Sequence, residues 1–150
     1  MRETQLVVPE ENPSIQTLYR AVAGERARGE MIARDVQLAL EEGRWPIVLT
    51  ERKDHLELLR DLICGICPKV VVLRGGPGSG RRARAAAISL SGARSRVIVA
   101  TGRYVGEGFD DPTLDTLFLA MPISWKGTVI QYAGRIQRLH PGEREVRIYD

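Results

Sequence analysis

Three side chains near the end of the chain have types and a spacing suited to chemistry on phosphate. Gln131, Arg135 and Arg138 stand in Gln131-Tyr132-Ala133-Gly134-Arg135-Ile136-Gln137-Arg138, the pattern Q-x-x-G-R-x-x-R. Offsets of four and seven residues put all three on one face of a helix. Two guanidiniums and an amide projecting together are poor core material. They fit the terminal phosphate of a nucleotide, which calls for fixed positive charge and a polar group that positions water. Gly134 in mid-helix costs about 1 kcal/mol relative to alanine, which points to a close-approach requirement. The plainer use of the same residues is a solvated basic helix face.

A second set lies upstream. In Val97–Asp111 (VIVATGRYVGEGFDD) a strand delivers Thr101, followed by Arg103 and the glycine-bracketed loop Gly106-Glu107-Gly108-Phe109-Asp110. Thr101 and the glycine amides can donate to phosphate, and Asp110 can accept from a sugar hydroxyl. Gly75–Arg82 (GGPGSGRR) has the glycine spacing of a phosphate-binding P-loop, but Arg81 stands where the lysine belongs and Arg82 where a hydroxyl must hold magnesium. The same segment contains Gly78-x-Gly80-x-x-Ala83, a dinucleotide fingerprint. The strand that follows it ends in Thr101-Gly102-Arg103 rather than in an acid, and an arginine there suits a 2′-phosphate. A stand-alone NADP-binding Rossmann domain built on Gly78, Gly80 and Arg103 is therefore the alternative reading. Cys64 and Cys67 form one C-x-x-C with no second pair, and neither His55 nor His140 completes a zinc spacing. No metal site is expected, and the two thiols are expected to be small buried groups at the end of a helix.

The elements that must position these residues follow from periodicity. Pro13 and Ser14 can open a helix carrying Ile15, Leu18, Tyr19 and Val22, interrupted at Gly24. A second helix is predicted from about Glu25 to Glu42, with Met31, Ile32, Val36, Ala39 and Leu40 on one stripe and Gly43 at its end. Short apolar strands then alternate with helices. The strands are Pro46–Thr50, Lys69–Leu73, Arg96–Ala100, Asp115–Ala120 and Glu145–Tyr149, and the helices Lys53–Cys64, Arg81–Leu90 and Lys126–Leu139. Strands apolar end to end and separated by helices predict an α/β fold: a mostly parallel sheet of about five to six strands with helices on both faces. Function then belongs beyond the carboxyl ends of the strands, at Thr50, Arg74 and Thr101 among others.

Composition bounds the rest. With 150 residues, 43% hydrophobic and 27% charged, the chain suits one globular domain. No apolar run approaches a membrane span and the first residues lack signal-peptide character, so a cytoplasmic location is expected. A net charge of +3 demands no polyanion, but nineteen of the 22 basic residues are arginine, a planar fork suited to phosphate.

Taken together, Arg96–Asp110 and Gln131–Arg138 resemble motifs V and VI of the superfamily-two helicases, and Arg44–Leu62 (RWPIVLTERKDHLELLRDL) looks like motif IV. The resemblance covers about Ile32 to Asp150 and is closest to the DEAD/DEAH-like and type III restriction-like branch, in which a phrase like Leu114–Pro122 (LDTLFLAMP) separates motifs V and VI. It implies a RecA-like P-loop NTPase-type sandwich and a division of labour between two such domains. The first carries the P-loop and magnesium motif, and the second closes on the same nucleotide. This chain looks like the second domain: residues 44–150 as the helicase C-terminal RecA-like domain and residues 1–43 as helices connecting from a missing first one. By position in the motifs, Arg138 would be the arginine finger, Arg135 its partner at the phosphates and Gln131 the coupling amide. Gly108, Asp110 and Gly134 would serve the nucleotide, while Thr50, Arg74, Thr101 and Arg103 would meet the backbone of DNA or RNA. ATP and magnesium would both require the first domain, so the chain alone is expected to be inactive.

Overall fold

Residues 14–17, 21, 26–74, 95–101, 113–121 and 147–149 are described in a computed structural model of the chain. The apolar, largely β-branched or aromatic runs Pro46–Thr50 (β1), Val70–Leu73 (β2), Val97–Thr101 (β3), Thr116–Leu119 (β4) and Arg147–Tyr149 (β5) form one sheet in the order β2-β3-β1-β4-β5. Every pairing is parallel. The α/β expectation of about five to six mostly parallel strands is met with five. The predicted β1 coincides with the observed one. The other strands agree within one or two residues, β3 being shifted one residue toward its carboxyl end so that Thr101 belongs to the strand.

Two helices pack on one face, α1 (Arg26–Glu41) and α2 (Lys53–Cys64). Ile32, Ala33, Val36 and Ala39 of α1 and Leu56, Leu59 and Ile63 of α2 meet Val48, Val97, Val99 and Phe118 in one core. The alternate strand positions Ile47, Leu49, Val71, Leu73, Ile98, Ala100 and Leu117 turn to the other face and are buried as well. Burial of both faces explains why the strands read as unbroken apolar runs rather than as an alternation. Removing a side chain such as Leu59, which is fully buried, would cost several kcal/mol, on the order of 2–5 for leucine to alanine.

The helix boundaries are local chemistry. Ser14 Oγ accepts from the Thr17 amide at 3.2 Å, an N-cap bond that opens a helix where the sequence places one. α1 ends in a Schellman arrangement: the Gly43 amide donates to Leu40 O and the Arg44 amide to Ala39 O, both at 3.0 Å, with Gly43 at φ +74°. Gly29 lets α1 approach α2, since a Cβ there would stand 2.8 Å from Leu62 Cδ1. Contrary to expectation, the two thiols differ. Cys64 is exposed at the end of α2, whereas Cys67 is buried and its Sγ lies 3.1 Å from Ser95 O, because the chain turns inward after the helix to reach β2. The predicted helices 81–90 and 126–139, and most of the one opening at Pro13, lie outside the described residues. Among the described residues no helix is long and apolar enough to cross a membrane.

Candidate functional site

All five strands point the same way, so their carboxyl ends share one rim of the sheet. Thr50 and Thr101, the last residues of β1 and β3, are register partners. Leu73 pairs with Ala100, so Arg74 emerges beside Thr101. On the other side of β1, the Ala120 amide donates to Leu49 O at 2.9 Å, bringing the end of β4 to the same level. Three of the four residues expected to meet a nucleic-acid backbone, Thr50, Arg74 and Thr101, therefore lie on neighbouring strand ends. The fourth, Arg103, lies outside the described residues, as do Gly108, Asp110, Gln131, Gly134, Arg135 and Arg138.

Thr50 is 2% exposed, and its hydroxyl is not idle. Oγ1 lies 2.9 Å from Nδ1 of His55, in the first turn of α2, and accepts a longer bond of 3.5 Å from the Arg52 amide. His55 is wholly buried, and Nε2 has no hydrogen-bond partner among the described residues. Burial lowers its pKa from 6.5 to about 4, helped by the nearby charges of Arg28 and Arg52 and opposed by Asp54. The ring is therefore neutral at pH 7. Sequence reasoning weighed His55 only as a zinc ligand. The signal it passed over is the five-residue offset from a strand-end threonine to the first turn of the following helix.

The start of α2 is held by charge rather than by a capping hydroxyl. Arg52 occupies the N-cap in extended conformation without a side-chain cap. Its guanidinium grips both oxygens of Asp54 at 3.0 Å, and Asp54 Oδ1 also accepts from the His55 amide. That pairing pulls the Asp54 carboxyl below the usual carboxylate range. A carboxylate in the first turn also suits the positive end of the helix dipole. Further along, Glu57 divides its oxygens between Arg74 at 2.6 Å and Arg60 at 2.5 Å, so the strand-end arginine leans back toward α2.

The opposite rim is built differently. Arg96, just before β3, is fully buried, with its guanidinium 5.3 Å from the Trp45 ring centroid and an amino group bonded to the Thr113 hydroxyl. Asp115, also buried, accepts from the Trp45 amide and from Thr116 Oγ1, both at 2.9 Å. These contacts tie together the starts of β1, β3 and β4, far from the strand ends where ligands meet such sheets. Arg96 opens the segment that resembles motif V, yet its place is structural. Among the described residues no three His, Cys, Asp or Glu side chains gather to hold a metal ion. The glycine loop that suggests a dinucleotide site follows β2, an edge strand among the described residues, whereas such fingerprints sit at the strand beside the switch in sheet order.

No family model matches the sequence, and no curated protein is similar to it at a meaningful level. Solved structures are. T4 UvsW is 20% identical, with a TM-score of 0.76, over 93% of this chain and 28% of that one. The E. coli DEAD-box protein SrmB, bound to the regulator of ribonuclease activity A, is 21% identical with a TM-score of 0.64, over 83% of this chain and 70% of that one. Domain 2 of the DEAD-box helicase Mss116p, bound to an RNA duplex, is 12% identical with a TM-score of 0.60, over 83% of this chain and 49% of that one. The chain thus spans less than a third of UvsW. With its five parallel strands and two helices packed on one face among the described residues, it has the RecA-like fold of these helicase domains.

Proposed function

We propose that the chain is the C-terminal motor domain of an ATP-dependent DNA or RNA helicase or translocase, contributing an arginine finger to the nucleotide and part of the nucleic-acid groove. The observation that carries the proposal is the convergence of Thr50, Arg74 and Thr101 on one rim of a RecA-like sheet, in a chain whose sequence continues into Q-x-x-G-R-x-x-R. The likeness to a helicase domain 2 bound to an RNA duplex supports the same reading. The residues present do not fit a complete magnesium–nucleotide site. Arg81 and Arg82 replace the lysine and the hydroxyl, and no acidic D-E-x-x motif occurs in the sequence. Nucleotide and metal would be held mainly by a partner domain with its own P-loop, against which Arg138, Arg135 and Gln131 would close.

The test is Arg138→Ala in the two-domain enzyme. A finger stabilises charge that develops only as the γ-phosphate leaves, so kcat should fall by roughly 10³-fold or more while ATP affinity changes far less. Arg138→Lys should rescue little, because an ammonium lacks the planar fork. Turnover retained in a well-folded Arg138→Ala enzyme would remove this residue from the mechanism.

A further inference from the structure

The Thr50–His55 pair has more to it than packing. A threonine hydroxyl has one proton to donate and two lone pairs to accept with. The Arg52 amide, which has no other acceptor among the described residues, takes one lone pair of Oγ1. What His55 does with the rest depends on which ring nitrogen carries its proton. If Nε2 carried it, an N–H would be buried with no partner among the described residues, and the Thr50 proton would be consumed by Nδ1. If Nδ1 carries it, the ring donates to Oγ1, only an acceptor lone pair is left unmatched, and the Thr50 proton remains for a third partner. Orphaned buried N–H groups are rarer than under-used acceptors, so the second arrangement is the favourable one.

We infer that His55 is a positioning residue: held as the Nδ1–H tautomer, it donates to Thr50 Oγ1 and so keeps the Thr50 hydroxyl as a donor for a nucleic-acid phosphate at the carboxyl rim. The inference rests on the reading of Thr50 as a backbone contact. The geometry supplies the reason for burying a neutral imidazole at this spot, since an aliphatic side chain would fill the space but leave the hydroxyl free to rotate. The depressed basicity of the ring supports the arrangement, because an uncharged ring has one proton to place and Nδ1 is where the hydroxyl needs it.

Two measurements on the 150-residue chain test it. The first is a long-range proton–nitrogen spectrum at pH 7, easily assigned because the sequence has only two histidines. A protonated Nδ1 and bare Nε2 at His55 are expected, and the reverse tautomer would overturn the inference. The second is a double-mutant cycle in single-stranded oligonucleotide affinity at fixed salt. Thr50→Val and His55→Leu should each weaken binding by roughly tenfold or more, the scale of one hydrogen bond to a charged acceptor, and the double variant by no more than either alone. His55→Asn, whose amide can still donate, should recover most of the affinity and keeps the test open if the leucine variant does not fold. Thr50→Val weakening binding while both His55 variants that fold bind normally would overturn the role of His55 and leave Thr50 standing. Thr50→Val with no effect would overturn the reading of Thr50 itself and the inference with it.

Discussion

At the scale of single residues, the described site is dominated by a group whose charge the fold suppresses. His55 binds a proton near pH 6.5 in the unfolded chain and near pH 4 in the folded one. As pH falls, the unfolded state takes the proton first, so this residue's effect on stability is nil above about pH 6.5, grows through the interval and levels off below pH 4. A shift of that size corresponds to roughly 3 kcal/mol lost across the interval. Chemical denaturation at pH 7, 5.5 and 4.5 should show the decline, and His55→Asn should flatten it. An equal slope in the variant would assign the pH dependence elsewhere. By contrast, the half-exposed Arg60 and Arg74 pairs with Glu57 should contribute little to stability, as surface ion pairs generally do.

At the scale of elements, much of the architecture was legible in the sequence. β1 and α2 could be bounded to the residue because Pro46 opens an unbroken apolar run and Gly65 follows a run of helical period. The end of α1 was legible for the same kind of reason: Gly43 is the one residue type that adopts positive φ without strain. Gly43→Ala should therefore cost about 1 kcal/mol or slightly more, all of it conformational, since a Cβ there meets no atom within 4 Å. Gly43→Asn should cost less, and equal melting temperatures for wild type and Gly43→Ala would contradict the Schellman assignment. What sequence could not give were contacts made across long separations. Cys67 against Ser95, Trp45 against Asp115 and Arg96 over Trp45 join residues 28, 70 and 51 positions apart, and no local pattern encodes such partners. The Thr50–His55 contact was within reach, being local, but His55 was weighed there only as a zinc ligand.

At the scale of the whole molecule, the proposed function would make the chain one half of a catalytic apparatus. ATP turnover by the 150 residues alone should not exceed that of buffer, with or without DNA or RNA, because the lysine and carboxylates that hold a magnesium-bound nucleotide are missing from the sequence. Turnover proportional to protein and abolished by changing Gly80 or Arg81 would contradict this. Nucleic-acid binding by the chain should be weak, indifferent to base sequence and steeply weakened by salt, since Thr50, Arg74, Thr101 and Arg103 would meet phosphates rather than bases. Fluorescence anisotropy with oligonucleotides of different sequence over a range of salt would check this. The two rims also differ mechanically. Trp45 and Arg96 are anchored at the start of β1 and β3, and Thr50 and Thr101 stand at their ends. A pull applied at the carboxyl rim runs along these strands to the anchored one, loading the ladder in shear, so that its hydrogen bonds resist together instead of parting one after another.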